Sequence, residues 1–228
     1  MRPEPQELKQ WARPKDADAY RDRYRGEHIG RRYVGWLHFA FTALGSVAVI
    51  GLALSGLRDT RWIELVTVPA TFLFANYAEY RGHRYPMHRP MRGLRLIYQR
   101  HSLEHHRFFT HQRMAYGSTR DFKIMLFPPV MLLFFIGGLA VPIGALLFIV
   151  ATQNVACLYV ATALGYFLTY ELMHFAYHCP ERSWVWRVPF MKALRRHHRA
   201  HHDPRLMSRH NFNITFPIFD RVFGTTYK

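Results

Sequence analysis

Histidine is concentrated in two short stretches of the 228-residue sequence. Of its 15 histidines, six lie between residues 83 and 111 and seven lie between residues 174 and 210. A neutral imidazole offers a nitrogen ligand that suits zinc, copper, iron or nickel. The two stretches therefore predict a metal site, provided that the fold brings them together.

The spacing of these histidines suits helices that present several imidazoles on one face. One pair is four residues apart and one triplet has spacings of three and four, so each group shares a helix face. These are His174 and His178, and His198, His201 and His202. His197 precedes His201 by four residues and competes with His198 for the same role.

Ten histidines fall into such groups, which exceeds the four ligands of a structural zinc ion. Two metal ions close together are the simplest explanation. Attraction of His and Arg to anionic lipid head groups would explain the charge of the two stretches but not the repeated spacing. A single histidine is usually a hydrogen-bonded surface or core residue, and this interpretation is favoured for His28, His38, His111 and His210.

Long apolar segments precede the histidines. From residue 124 to residue 170 no Asp, Glu, Lys or Arg occurs, and this stretch is too long for one membrane span but suits two. A turn between the two spans is predicted from helix-breaking residues at Gly137, Gly138, Pro142 and Gly144. The sequence predicts an all-α integral membrane protein with four transmembrane helices, at residues 34–57, 62–80, 124–141 and 143–170.

Basic residues are divided unevenly among the segments that flank these spans. Of 31 Lys and Arg residues, 29 lie in residues 1–33, in residues 81–123 or after residue 181, and two lie between the first pair of spans. The positive-inside rule therefore predicts both termini and both histidine stretches on the cytoplasmic side. There the histidine boxes at 83–106 and 174–202 would meet in a cytosolic helical cap. A soluble helical protein with buried hairpins is the alternative, and the length of the spans disfavours it.

Composition excludes several other classes of protein. A hydrophobic content of 50% excludes a disordered chain, and two cysteines exclude a disulfide scaffold. The net charge of +16 fits a membrane surface better than nucleic acid, because the basic residues flank apolar spans; no nucleic-acid partner is predicted. Residues 1–33 are predicted to be a basic cytosolic segment, not a cleavable signal peptide, and residues 34–228 to be the membrane domain.

From about Asn76 to the C-terminus, the sequence resembles the fatty acid hydroxylase and sterol desaturase superfamily of integral-membrane di-iron oxygenases. The likeness rests on four histidine boxes, on the run from Asp121 to Pro129, and on the closing stretch from Asn211 to Thr225. The boxes read His83-x4-His88, His101-x3-His105-His106, His174-x3-His178 and His198-x2-His201-His202. The boxes resemble those of fatty acid and sphingolipid 2-hydroxylases, although the second box of those enzymes usually has two residues before the His pair.

The resemblance implies a dinuclear iron centre and O₂-dependent hydroxylation of a lipid acyl chain. The implied metal ligands are His83, His88, His101, His105, His106, His174, His178, His198, His201 and His202. Zinc would be only a substitute there, because its filled d shell allows no change of oxidation state. The lipid would come from the bilayer, and the electrons from a separate protein, since residues 1–33 are too short for a fused cytochrome-type donor domain.

Acidic and aromatic residues near the boxes are candidates for supporting roles. Carboxylates that accept a hydrogen bond from a ligand imidazole fix its orientation, and Glu171, three residues before His174, fits this role best. The other acidic candidates are Glu79, Glu104 and Asp203, and a solvated acid at the membrane surface is the alternative for each. Aromatic candidates for the path of the lipid are Phe72, Phe74, Tyr77, Phe167 and Tyr170, for which packing or lipid contact is the alternative.

Other functions stay open at the level of the sequence. Within the same superfamily, the alternative is a desaturase that acts on a sterol or an acyl chain. From another class, the alternatives are a zinc-dependent membrane hydrolase and a metal-binding transporter. A transporter would place its ligands and acids at the middle of the membrane, whereas here they lie beyond the ends of the spans.

Overall fold

The computed structural model describes residues 13–227, and the described chain is built from helices. Nine helices are named here: α1 (Pro14–His28), α2 (Gly35–Ser55), α3 (Thr67–Gly82), α4 (Arg95–Tyr98), α5 (Phe122–Met125), α6 (Pro129–Val150), α7 (Gln153–Tyr177), α8 (Met191–His201) and α9 (Ile218–Val222). Three π-helical segments lie at His83–Met87, at Gln99–His105 and, within α6, at Phe135–Ala140. Shorter helical turns lie at Trp62–Val66, His106–Phe108, Thr119–Asp121 and Trp184–Arg187. The predicted all-α class is confirmed.

Three of these helices, α2, α6 and α7, are long and apolar enough to cross a membrane. They have 21, 22 and 25 residues, and at 1.5 Å per residue each reaches across a hydrocarbon layer of about 30 Å. Large apolar side chains on α2 and α6 face outward, among them Leu52, which is 74% exposed, and Ile149, which is 79% exposed. Such surfaces are stable in lipid rather than in water. The protein is therefore a membrane protein.

The predicted second span, residues 62–80, differs in the structure. Helix α3 begins only at Thr67 and has 16 residues, because the preceding turn is organised around a buried carboxylate. Glu64 accepts hydrogen bonds from the Arg61 amide at 2.8 Å, from the Thr152 hydroxyl at 2.6 Å and from the Asn154 amide at 3.0 Å. This turn therefore ties the start of α3 to the start of α7.

The predicted turn at residues 137–144 is wrong. The chain continues as one helix to Val150, and the reversal lies at Ala151 and Thr152, whose hydroxyl accepts a hydrogen bond from the Val155 amide at 3.2 Å. Two of the expected breakers, Gly137 and Gly138, lie in the π-helical segment of α6. A membrane helix accommodates glycine and proline in this way, because a local π turn rearranges the backbone bonds that proline disrupts.

Helix α7 is the centre of the bundle and packs against α2, α3 and α6. Gly144 is needed at the contact between α6 and α7, because a Cβ atom there would lie 2.8 Å from a methyl group of Val160. Phe127 stacks on Tyr170 with ring centroids 5.3 Å apart. This packing fixes the end of α7 from which two of the predicted ligands project.

A polar layer covers that end of the bundle. Helix α1 is held to it by Arg21, which donates hydrogen bonds to the carbonyls of Phe108, Arg113 and Ala115. Arg25 forms a two-pronged ion pair with Asp121, with both N···O distances at 2.8 Å. The π-helical segments after α3 and α4, helix α8 and the C-terminal segment complete the layer, which contains all ten predicted ligands.

Candidate metal centre

The ten predicted histidine ligands are buried and form two groups of five. Within each group the candidate ligand atoms all lie within 4.8 Å of one another. The first cluster consists of His83, His88, His101, His106 and His201, and the second cluster consists of His105, His174, His178, His198 and His202. The two clusters are neighbours, because the ring of His106 in the first stacks on the ring of His202 in the second at 4.2 Å.

The first cluster is built mainly from two pairs of histidines, and each pair is five residues apart in the chain. Five residues turn a side chain by about 140° around an α-helix, but a π-helix joins residues i and i+5 on one face. His83 begins one π-helical segment and His88 comes directly after its end. His101 lies within the other segment and His106 comes directly after its end. The π turns therefore bring into one cluster imidazoles that an α-helix would direct apart.

The second cluster uses ordinary α-helical spacing. His174 and His178 come from the end of α7, and His198 and His202 come from the end of α8. The predicted triplet is divided, because His201 of the same helix end belongs to the first cluster. In the same way His105 joins the second cluster while its neighbour His106 joins the first. Two chain segments thus contribute to both clusters.

Backbone carbonyls fix the orientation of half of the imidazoles. In five of them Nδ1 contacts a carbonyl oxygen, which accepts but never donates a hydrogen bond. The pairs are His83 with Phe212 at 2.6 Å, His105 with Ile124 at 3.0 Å, His178 with Met114 at 2.8 Å, His201 with His210 at 2.9 Å, and His202 with Phe109. Nδ1 must therefore carry the hydrogen, which leaves a lone pair on Nε2.

The Nε2 atoms of these imidazoles face other nitrogen atoms of the clusters. Neighbouring Nε2 atoms are 2.8 Å apart for His83 and His101, 2.9 Å for His88 and His201, and 3.0 Å for His198 and His202. Nitrogen ligands at right angles on a metal with bonds of about 2.1 Å lie about 3.0 Å apart. A cation between the nitrogens turns their repulsion into bonding, so the donor set fits a metal ion in each cluster.

Burial keeps the ligands neutral. Desolvation lowers the pKa of His105 to about 3, and it lowers the pKa values of His106 and His202 well below their usual range. A metal ligand must be unprotonated, and these imidazoles meet that requirement at neutral pH. The donors are nitrogen atoms throughout, which suits iron, zinc or copper better than magnesium or calcium.

Ser102 is a supporting residue that the sequence did not reveal. Its hydroxyl donates to the Met87 carbonyl at 2.7 Å, so its oxygen is free to accept from Nδ1 of His88 at 2.9 Å. Ser102 is 1% exposed. It gives His88 the same tautomer that backbone carbonyls give to five other imidazoles.

Replacement of this hydroxyl should weaken metal binding by the first cluster and leave metal binding by the second cluster unchanged. In Ser102→Ala, Nδ1 of His88 loses its partner, and loss of such a group costs about 10- to 100-fold in metal affinity. Metal titration of the purified apoprotein should show one weakened site and one unchanged site. Ser102→Thr restores a hydroxyl and should recover most of the affinity. Equal weakening of both sites, or none, would contradict this role.

The acidic residues predicted to orient the ligands have other hydrogen-bond partners in the structure. Glu171 accepts a hydrogen bond from the Phe127 amide at 3.1 Å, Asp203 binds the amide and guanidinium of Arg205, and Glu104 binds Tyr24. None of these carboxylates, nor that of Glu79, has a hydrogen bond to a cluster imidazole among the described residues. Carbonyls or Ser102 accept from Nδ1 in six of the ten imidazoles instead.

Glu79 instead holds the C-terminal segment against α3. It accepts hydrogen bonds from the amides of Ile214 at 2.7 Å and Thr215 at 3.1 Å, and from the hydroxyl of Tyr166. Asp220 fixes the neighbouring part of the segment by accepting from the Phe212 amide at 3.0 Å. The carbonyl of Phe212 accepts a hydrogen bond from His83. These carboxylates therefore position a candidate ligand indirectly, through the C-terminal segment.

The remaining histidines lie outside the clusters. His197 turns away from them and contacts the Asn213 carbonyl at 3.1 Å, so His198, not His197, belongs to the centre. His38 bridges the Tyr33 hydroxyl and the Phe127 carbonyl. His210 contacts the Thr225 carbonyl at 3.3 Å, while His111 and the exposed His28 are also separate from the clusters.

An apolar cavity of about 220 Å³ lies between α3, α6 and α7 and reaches the first cluster. His83 is the one cluster histidine in its wall, next to Gly82 and Met87. Most of the wall is aliphatic or aromatic, and it extends to Thr71 and Tyr159 inside the bundle. Of the predicted aromatic lining residues, Phe74, Phe167 and Tyr170 line the cavity. Phe72 packs on Tyr166 and Tyr77 packs on Phe219.

Comparison with known proteins agrees with this geometry. Residues 68–225 match the sequence profile of a family described as fatty acid hydroxylase. One similar solved structure is full-length Scs7p, of which only the hydroxylase domain is visible. The TM-score is 0.59 at 20% sequence identity, and the match covers 100% of this chain and 84% of that chain. At this identity the likeness concerns the fold. No curated protein sequence matches the chain significantly.

Proposed function

Because the chain belongs to the fatty acid hydroxylase family, we propose that it is an O₂-dependent hydroxylase that converts a C–H bond of a lipid acyl chain into C–OH. The substrate is proposed to be of fatty acid or sphingolipid type. The observation that carries the proposal is the contact of an apolar, chain-sized cavity with His83 of the first cluster.

The proposed cofactor is a pair of iron ions, one in each cluster. The ligands would be the ten clustered histidines, with His83, His88, His101, His106 and His201 on one ion and His105, His174, His178, His198 and His202 on the other. Two bound iron ions supply the change of oxidation state that reduction of O₂ and oxidation of a C–H bond require, and that zinc lacks.

The protein itself positions the chain and excludes water. From Tyr170 to Tyr159 the cavity follows α7 for 11 residues, or about 16 Å. Aromatic walls at Phe127, Phe167 and Tyr170 restrict a flexible chain to few conformations, which places one stretch of it beside His83. The absence of charged side chains from the wall, apart from Glu79, favours hydrocarbon over water.

The reaction consumes electrons that the lipid substrate does not supply. One alkyl C–H bond, O₂, two electrons and two protons give one C–OH group and one water molecule. We propose a separate donor protein as their source. A polar depression supports this, because the carbonyl of Met114 in its lining accepts a hydrogen bond from His178 of the second cluster. Its four arginines, Arg21, Arg113, Arg195 and Arg199, outnumber its two acids, Asp18 and Glu181. Its cationic rim would attract an acidic donor.

The proposed topology has four spans, with residues 62–82 as the additional one beside α2, α6 and α7. The turn Trp62–Val66 and helix α3 are continuous and together have 21 residues. This length is sufficient for a span at 1.5 Å per residue. With the charge distribution of the sequence, both termini and both clusters lie on the cytoplasmic side, residues 1–33 form a basic segment, and residues 34–228 form the membrane domain.

Isotope labelling tests the proposed reaction. Cells that express the protein are grown under ¹⁸O₂, and their lipids are analysed by mass spectrometry. A hydroxylase gives an acyl chain that carries one ¹⁸O atom. The alternative within the superfamily, a desaturase, gives a chain that has lost two hydrogens and carries no label. Unchanged lipids with fully metal-loaded protein would refute both and leave the zinc hydrolase or the metal-binding transporter.

A further inference from the structure

An arginine-rich segment without acidic partners runs from the cavity to the protein surface. Between residues 80 and 103 the sequence contains six arginines and no Asp or Glu. Arg100 is bonded to the carbonyls of Lys123 and Leu126. The other five have no ion pair among the described residues, in contrast to Arg25, Arg113 and Arg195. These five are Arg81, Arg84, Arg89, Arg92 and Arg95.

Three of these guanidinium groups surround one aromatic ring. Their carbon atoms lie 4.3 Å (Arg81), 5.7 Å (Arg84) and 5.2 Å (Arg89) from the ring centroid of Tyr85. Each cation is attracted to the ring, but three like charges repel one another unless an anion lies between them. The Nε atom of Arg84 is buried and has no hydrogen-bond partner. The cluster therefore has unused positive charge and an unused donor.

The position of this arginine cluster relates it to the cavity. The cavity is lined by Gly82, His83 and Met87. In the chain, Arg81 comes directly before this group, and Arg84 and Tyr85 lie between His83 and Met87. Directly beyond the cluster the chain exposes apolar side chains at Met91, Leu94 and Leu96, the last of which is 80% exposed. Exposed apolar groups beside arginines are typical of a segment at the membrane surface. The cluster thus lies where a lipid in the cavity would have its head group.

We propose that Arg81, Arg84 and Arg89, gathered around Tyr85, bind the anionic head group of the lipid whose chain occupies the cavity. The group is a phosphate or a carboxylate, the anions that guanidinium binds through two parallel hydrogen bonds. The substrate is then an acyl lipid with an anionic head, and not a neutral one. This inference rests on the proposed function, since it takes the cavity as the site of the substrate chain.

Lipid binding to the purified full-length protein tests the site without any turnover. Native mass spectrometry in detergent compares phosphatidic acid and a fatty acid anion with diacylglycerol, a neutral lipid, and with inorganic phosphate. Wild-type protein should prefer both anionic lipids by at least about tenfold, since a charge-assisted hydrogen bond contributes that much. R81Q/R89Q removes two guanidinium groups but leaves Arg84, whose guanidinium donates a hydrogen bond to the Tyr80 hydroxyl. This variant should lose most of the preference.

R182Q/R187Q is the matched control, because it removes the same charge from exposed arginines of another segment. It should keep the preference of the wild type. The proposal is overturned if wild-type protein binds diacylglycerol equally well, or if the control loses as much as R81Q/R89Q. Inorganic phosphate that binds as tightly as phosphatidic acid would also overturn it, in favour of a free-phosphate site. If the wild-type protein keeps the preference but hydroxylates none of these lipids, the head-group site stands and the proposed function is refuted instead.

Discussion

His178→Ala and His202→Ala should each reduce the metal content from two ions to about one per chain and abolish measurable hydroxylation. Both side chains belong to the second cluster and are fully buried. Even loss of a residue that only orients a ligand costs about 10- to 100-fold in metal affinity, so loss of the ligand itself should cost more. Elemental analysis of the purified proteins and lipid mass spectrometry measure the two effects.

The control for this experiment is His28→Ala, because His28 is exposed on α1 and belongs to neither cluster. It should keep normal metal content and activity. His38 is a less suitable control, since it joins the Tyr33 hydroxyl to the Phe127 carbonyl inside the bundle and its loss could affect folding. Full metal content and activity in His202→Ala would show that the ligand set proposed here is wrong.

Ala163→Phe should shorten the acyl chains that the protein accepts, and leave its metal content unchanged. Ala163 lines the cavity on α7, 11 residues or about 16 Å before His174. An added phenyl ring would fill much of the 220 Å³ that the cavity offers. Turnover of long chains should fall by at least about tenfold, as expected when a chain no longer fits an apolar pocket, whereas shorter chains should retain most of their rate.

Chain-length profiles of wild type and variant, measured with a series of substrates, would show this shift. Leu172→Phe is the matched control: it places the same ring on α7, but at a position that is 41% exposed and outside the cavity wall. Its profile should equal that of the wild type. A uniform loss for all chain lengths in Ala163→Phe would indicate a folding defect and contradict the assignment of the cavity.

The convergence of the ten histidines could be predicted from the sequence because imidazoles are rare and their spacing is regular. The division into two clusters could not, since α-helical spacing assigns His198, His201 and His202 to one face. In the first cluster, π-helical turns bring together histidines that α-helical spacing would separate. A spacing of five, as in His83/His88 and His101/His106, was the available signal for such turns.

The supporting residues and the span boundaries were harder to predict, for a physical reason. Backbone carbonyls accept from most of the orienting Nδ1 atoms, and a sequence does not reveal where a carbonyl points. In the same way, glycine and proline predict a turn in water, where backbone groups find solvent partners. In an apolar helix the same residues are held in place by local bonding and packing, so Gly144 serves the contact with Val160 and not a turn.

The inward-facing lone pairs of the two clusters affect the maturation of the protein. The apolar helices can insert into a bilayer without any ion, because their backbone bonds are internal. We expect the polar layer above them to be stabilised further when cations occupy the space between the nitrogens, because metal binding couples to folding. Without the metal that the clusters bind, the chain would accumulate as an inserted but incompletely folded protein, whose polar end is more accessible to proteases.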